Sequence, residues 1–472
     1  MKKMMAALIG LISLNVYAHS LHSLEYVEFL PVRDLMGKVS IKNKNVLNQL
    51  NQFGIDVAGV DVPNQIADII ISAEELKLLE SQQIQVQIVM TKNLMAAPDS
   101  EYKNPDEIES LLKQFHARFR DISRLEVIGQ SLEGRNIWAI VISDDVTVKD
   151  QTEPVILFNS MHHAREMMTP EVGLDIIEQL LTNYGADESV TRWVNNNEIW
   201  IVPMFNVDGN NLAWTKNSMW RKNARGGYGV DLNRNYPKGW GSCNGSSGSR
   251  TSDTYRGEAP ASEPETKAMM NLIKKIRPVF DISYHSYSEL VLYPFGCKGQ
   301  KTQTEEVVAK IGQQMGQALK YQPGTPWEIL YSADGGDIDW MYDEYQVIPY
   351  VIEINSTREG FQPSYSKWRD VTVERNRLGW QLLLNRLETS SIRAYVKDEN
   401  GLALTGDYII NVYKVDGTNT KLFQTFKSQE FGVVHAVVNP GNYKLEVKTA
   451  QRSIQSDVIN VENSRVELDL SI

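Results

Sequence analysis

The chain has 472 residues, 42% of them apolar, which allows a large core and more than one domain. Its formal net charge is −11 with the acidic groups spread along the chain, which argues against nucleic acid as a partner. Past the N-terminus no stretch reaches the length of a membrane span, and the two cysteines, Cys243 and Cys297, are too far apart in sequence for CxxC-type zinc or redox chemistry.

Residues 1–18 read as an export signal, with Lys2 and Lys3 before the apolar run Ala6 to Leu14 and Val16-Tyr17-Ala18 as the cleavage site. The mature protein is therefore expected in the periplasm or secreted, and the short Lys-Lys start looks bacterial. Residues 19–90 form a small α+β unit. Glu25 to Leu30 alternates like a strand, Asn45 to Phe53 reads as a helix ended by Gly54, and Ile69-Ile70-Ile71 is a short strand. Ser72-Ala73-Glu74-Glu75 resembles a capping box opening a second helix, and Gln83 to Met90 alternates again. With no cluster of chemical groups, the unit reads as a chaperoning or inhibitory segment. A polar linker, 91–104, offers a nick site around Ala96 to Ser100.

From Pro105 a helix runs to about Phe119, with Ile108, Leu111, Leu112 and Phe115 on one face. Strand-like and helix-like stretches then alternate to about 390, the pattern of an α/β domain with a mixed sheet flanked by helices. Its strands include Leu125 to Ile128, Ile137 to Ile142, Val155 to Asn159 and Glu198 to Pro203. Asn206-Val207-Asp208-Gly209 is a turn by composition, and Gly239 to Ser252 is a Gly- and Ser-rich surface loop. Ser262 to Glu265 opens a helix with a serine cap. In 391–472 strand-like runs recur between turn signals, which predicts a β-sandwich domain.

Two residues of chemical interest lie where the Val155 strand turns into the helix that follows. His163 and Glu166 have the i, i+3 spacing that puts both side chains on one side. Two imidazoles and a carboxylate with an open fourth position are the donor set of a catalytic zinc site. His285, closing the run Phe280 to Tyr284, is the candidate third ligand, at a strand end where open sheets keep their sites. Glu353 follows Tyr350-Val351-Ile352, a strand in which a carboxylate is costly to bury unpaired, and is a candidate general base. Asp231-Leu232-Asn233-Arg234-Asn235 places a guanidinium beside an amide, a pair that can fork onto a substrate carboxylate. In an exported protein Cys243 and Cys297 are expected to pair, pinning two loops beside the site.

Together these motifs resemble the zinc metallocarboxypeptidases of the carboxypeptidase A and T type, over residues 105–390. The resemblance implies one zinc ion on His163, Glu166 and His285, with His163 rather than His162 as the ligand. It implies Glu353 as catalytic glutamate, Asn233 and Arg234 as holders of the peptide's terminal carboxylate, and Tyr331 as a mobile tyrosine closing over substrate. Arg165 and Tyr287 match substrate-binding positions, and Asp231 the acid that orients the first histidine. The arginine that polarises the scissile carbonyl is Arg221 or Arg225, because Arg221-Lys222-Asn223-Ala224-Arg225 carries one residue more than the family's stretch; Arg225 is slightly favoured. Residues 19–90 resemble the family's pro-segment, and 391–472 the transthyretin-like domain of its regulatory branch.

The implied substrate is a peptide or protein C-terminus, and the protein is expected to be a monomer. Ile338 falls where an acid would select Lys or Arg, so with Leu330, Ala333 and Val351 it favours a hydrophobic or aromatic terminal residue. Asp334 and Asp337 are close enough in sequence to accept a basic one as well. A zinc amidase acting on cell-wall peptides would use the same ligands. A non-catalytic peptide-binding protein is the rival of a different class, against which Glu353 argues.

Overall fold

The computed structural model describes residues 32–43, 45–90, 96–147, 152–429 and 431–472. The expected export signal, the expected strand Glu25 to Leu30 and the first linker residues, Thr91 to Asn93, lie outside them.

The N-terminal unit is a four-stranded antiparallel sheet with two helices. Its strands are β1 (Leu35–Ser40), β2 (Asp56–Asp61), β3 (Ile66–Ile71) and β4 (Val86–Met90), in the order β2-β3-β1-β4. β1 and β2 escape a search for apolar runs, because Lys38 and Asp56 interrupt them. The helices are Asn45–Gln52 and Ala73–Ser81. The second opens with the capping box: Ser72 Oγ accepts from Glu75 N at 3.2 Å, and Ser72 N donates to Glu75 Oε2 at 2.8 Å.

The second body is an eight-stranded mixed sheet flanked by helices. Its strands are β5 (Ser123–Gln130), β6 (Asn136–Ile142), β7 (Val155–Ser160), β8 (Glu198–Val202), β9 (Phe280–Ser286), β10 (Leu290–Leu292), β11 (Gln322–Gly324) and β12 (Ile348–Ile354). They lie in the order β11-β10-β12-β9-β7-β8-β6-β5. The four central strands, β12, β9, β7 and β8, run parallel. Every residue of β7, β8 and β9 is buried, as expected of parallel strands covered on both faces. Among the covering helices are Thr169–Asn183, Pro264–Ile276, Glu305–Leu319 and Tyr365–Leu387.

Residues 391–472 add two packed sheets, of three and five strands. Ile392, Ile410 and Leu445 there join the same apolar core as the eight-stranded sheet. Arg386 Nη1 donates to Ser390 O at 2.9 Å, and Lys414 pairs with Glu306 at 2.7 Å, so this body is fastened to its neighbour. Among the described residues no helix is long and apolar enough to cross a membrane.

Two local expectations change. The segment read as a turn, Asn206 to Gly209, is a helix N-terminus: the helix is Val207–Thr215, and Asn206 Oδ1 caps Gly209 N at 3.0 Å. Turn composition and capping composition coincide, because both use a short side chain that accepts from the backbone two or three residues on. Conversely, Ser262 does not cap the helix Pro264–Ile276. Its hydroxyl donates to Glu263 at 2.7 Å and takes the Asn235 amide at 3.0 Å, while Glu265 reaches away to Leu132 N at 3.0 Å. The linker also ends earlier than its composition indicates. Asp99 Oδ2 accepts from Tyr365 N at 2.8 Å, and the buried Tyr102 donates to Pro363 O at 2.6 Å, so residues from 99 onward are fixed to the eight-stranded body.

Candidate metal centre and substrate cavity

Three parallel strands end at one place. β7 runs into Met161, whose φ of +64° turns the chain so that His162 and His163 follow at the sheet's C-terminal edge. β9 carries His285 and β12 carries Glu353, directly opposite each other in register. Asn159 on β7 lies opposite Ser283 on β9, which brings the His163 turn beside His285.

His163 Nδ1 lies 2.7 Å from Glu166 Oε1 and 3.1 Å from His285 Nδ1, and His285 Nδ1 lies 3.3 Å from Glu166 Oε2. On its far side His163 Nε2 meets Asp231 Oδ1 at 3.2 Å. That contact places the ring proton on Nε2 and leaves Nδ1 with a lone pair. Two bare imidazole nitrogens at this separation repel unless a proton or a cation lies between them. The donor set therefore fits a zinc ion held by two imidazoles and a carboxylate. Burial lowers the His163 pKa, with Arg221 adding to it, so the ring is neutral as a ligand must be.

A second ligand-type set, His162, His285 and Asp337, shares His285 with the first. His162 is fully buried behind the cavity, its Nε2 bonded to Tyr236 Oη at 3.1 Å and its Nδ1 near Ser283 Oγ at 3.3 Å. The shared histidine makes this a single zinc centre, and of the two sets His163, Glu166 and His285 all line the cavity.

Glu353 faces the same cavity and has no hydrogen-bond or ion-pair partner among the described residues. Desolvation pushes its carboxyl up to about 7, while His285 works the other way and Glu166 adds to the rise. Asn233, Arg234, Tyr331 and Ile338 line the cavity too. Of the two candidate arginines only Arg221 does. Its Nη2 and Nε reach Asp231 Oδ2 at 2.9 and 3.2 Å, so Asp231 bridges His163 and Arg221. Arg225 is held away from the cavity by Glu263 at 2.7 Å, which reverses the slight preference for it. Asn223 and Arg225 both turn to the buried Glu263, away from the cavity.

Asp334 is also not available to a substrate. Its carboxylate accepts from the backbone of Cys243 and Gly245, both at 3.0 Å, and from Ser246 Oγ. Sequence reasoning missed Asp339, which lines the cavity, accepts from Gly296 N at 3.0 Å and is pushed up to about 7 by burial. The signal was only its place one residue after Ile338. Cys243 and Cys297 are bonded, with Cα atoms 6.0 Å apart.

The N-terminal unit supplies the roof. Val57, Ala58 and Gly59 line the cavity together with the metal-ligand set, and about 70 Å³ of free space remains. That holds a few waters, whereas ligand pockets typically offer about 300–1,000 Å³. Asp56 makes a bidentate pair with Arg165 at 2.5 and 2.7 Å, and Tyr287 donates to Asp68 at 3.1 Å. Gly59 lies so close to Tyr287 that a Cβ there would come 2.4 Å from the ring. Leu290, Leu292, Ile338 and Val351 share one apolar core with the unit's Val60 and Ile69.

A parallel-strand edge that gathers a one-ion donor set, an unpaired carboxylate and an arginine is the centre of a zinc hydrolase. The zinc carboxypeptidase family model matches residues 108–376. Carboxypeptidase O of Bos taurus is 29% identical over 266 residues, covering 54% of this chain and 70% of that protein. Carboxypeptidase A2 of Rattus norvegicus is 34% identical over 244 residues, covering 49% of this chain but only 57% of its own length. Carboxypeptidase B of Bos taurus is 29% identical, covering 55% of this chain and 64% of its own. Among solved structures, carboxypeptidase A from Helicoverpa armigera superposes with a TM-score of 0.65 at 24% identity, over 76% of this chain and 98% of that one, a likeness of fold. The chain belongs to the zinc carboxypeptidase family.

Proposed function

We propose that the protein is an exported precursor of a zinc carboxypeptidase that removes the C-terminal residue of peptides and proteins. The observation that carries this reading is the meeting of His163, Glu166, His285, Glu353, Asn233, Arg234 and Arg221 around one cavity. His163, Glu166 and His285 would hold zinc, which supplies Lewis acidity and makes water acidic near pH 7. Asn233, Arg234 and Tyr331 bind the substrate's terminal carboxylate. Glu353 takes the proton of the attacking water and passes it to the leaving amine. Arg221 stabilises the negative charge that develops on the carbonyl oxygen. Asp231 holds both His163 and Arg221 in place.

Specificity rests on the apolar wall of Leu292, Leu330, Ile338 and Val351, which favours a hydrophobic or aromatic residue. Asp337 lines the cavity too, with one oxygen on Ile338 N and the other 3.7 Å from the buried His162, and would let some basic residues in.

Residues 32–90 act as the inhibitory part of the precursor. Their Asp56 and Asp68 occupy Arg165 and Tyr287, the residues assigned to the peptide beyond the scissile bond. A nick between the β4 end and Asp99 would free this unit without cutting the segment already fastened to Tyr365.

The test is hydrolysis of blocked dipeptides ending in Phe, Leu, Arg or Lys, with and without a zinc chelator, before and after limited proteolysis in the linker. Chelator-sensitive release of Phe or Leu that rises sharply after the nick is the expected result. No release by the zinc-loaded nicked protein overturns the proposal.

A further inference from the structure

The wall around Arg234 contains a device that the reaction just described does not use. Arg234 is buried, and two of its nitrogens are spent on the backbone: Nε donates to Gly245 O at 2.9 Å and Nη1 to Asn233 O at 2.8 Å. Those two carbonyls set the plane of the guanidinium. A planar fork binds a carboxylate well in few orientations, so the plane matters as much as the charge.

Gly245 lies in the Gly- and Ser-rich loop, a segment with much conformational freedom to lose. Two ties hold it. The first is the Asp334 carboxylate, which takes the N–H of Cys243 and of Gly245 and the hydroxyl of Ser246. The fit is close, since a Cβ on residue 245 would lie 2.4 Å from Asp334 N. The second is the bridge from Cys243 to Cys297. Beside that bridge Gly296 donates to Asp339 at 3.0 Å, and its carbonyl accepts from Ala333 N at 3.0 Å. Three segments far apart in sequence, 243–246, 296–297 and 333–339, are thereby laced into one frame.

We propose that Asp334 and the Cys243–Cys297 bridge are positioning elements for Arg234, acting through the Gly245 carbonyl to set affinity for a free C-terminal carboxylate. The inference rests on the assignment of Arg234 as the carboxylate anchor. Loosening the frame leaves the arginine's charge in the cavity but frees its plane. His163 and Glu166 sit in the turn after β7, His285 on β9 and Glu353 on β12, outside the frame. The effect therefore falls on KM and spares kcat.

The experiment uses the zinc-loaded full chain nicked in the linker, with a blocked dipeptide ending in Phe. The variants are Asp334→Asn, Ser246→Ala and the pair Cys243→Ser with Cys297→Ser, alongside wild type reduced with a phosphine. Arg234→Ala is the reference. For each frame variant KM should rise about tenfold, as one misaligned charge-assisted hydrogen bond implies, with kcat within about twofold. Inhibition by the C-terminally amidated peptide, which lacks the charge Arg234 reads, should stay as in wild type. Ser246→Ala removes a single hydroxyl and keeps the test open should the cysteine pair not fold. If Arg234→Ala raises KM but the frame variants do not, the positioning inference fails while the anchor stands. A kcat that falls in step with KM also overturns it, because that marks general loosening. If Arg234→Ala itself leaves KM unchanged, the anchor assignment is what fails, and the inference with it.

Discussion

Two buried polar clusters lie within reach of each other in this molecule, and they are built on different principles. At the metal centre His163, Glu166 and His285 come from one body and form a donor set for one ion, with Asp231 behind His163. At the roof Asp56 and Asp68 come from the N-terminal unit and pair with Arg165 and Tyr287 across a boundary. In the first, like donors are forced together and need a cation to be stable. In the second, the charges already balance, and a buried ion pair of this kind adds little net stability but is costly to break from one side. On the proposed release of the N-terminal unit the first cluster would stay whole and the second would part.

Breaking each cluster singly sharpens the contrast. The largest effect is expected from Glu353→Gln, which should lower kcat by about 10²–10⁴ while zinc content and the melting temperature stay near wild type. Steady-state kinetics with metal analysis checks this. Next is Asp56→Ala, which leaves Arg165 buried without its partner. By the usual cost of about 3–5 kcal/mol for breaking such a pair, the nicked N-terminal unit should bind at least 10²-fold more weakly. Release of inhibition on dilution reads that out, and unchanged inhibition would show that the apolar roof alone does the blocking.

Smaller is Asp231→Asn, which removes the carboxylate charge and leaves a single acceptor oxygen where His163 and Arg221 each need one. Zinc affinity should fall about 10–100-fold in competition with a chelator.

The smallest effect concerns pH, and the two clusters should answer in different ranges. Glu353 works as a base only when ionised, and desolvation holds its carboxyl up at about 7. Activity of the nicked enzyme should therefore fall as pH drops through the neutral range, with bound zinc moving that limb lower by its positive charge. Asp56 is the reverse case. Against the cost of burial, Arg165 keeps its carboxyl below the usual range. Its contribution is present above the unfolded-state value and is lost only as pH falls through the depressed one. Inhibition by the N-terminal unit should thus outlast catalysis on acidification. Inhibition that disappears in the pH range where activity does would contradict the Asp56 latch.

The zinc motif was legible because its spacing is local: His163 and Glu166 stand three residues apart at a strand end, and the apolar runs before His285 and Glu353 announce the strands that deliver them. The helix from Pro105 was legible in the same way, from an apolar stripe, while its Asn104 cap was not read. The roof was not. β1 carries Lys38, which pairs with Asp68 inside the unit, and β2 opens with Asp56, which looks like a surface residue until Arg165 across the boundary is known. Asp334 read as a specificity acid because sequence shows a carboxylate without showing the three donors already committed to it.

By itself, then, the sequence determined the order of the domains, the central strands and the side chains around the metal, since those follow from short-range periodicity and donor chemistry. Only the tertiary structure decided between Arg221 and Arg225, gave Asp334 its backbone partners and set Asp56 against Arg165. Those outcomes depend on which groups meet after the chain has crossed the sheet. Where a buried charge finds its partner is fixed by packing between distant segments, which no local pattern encodes.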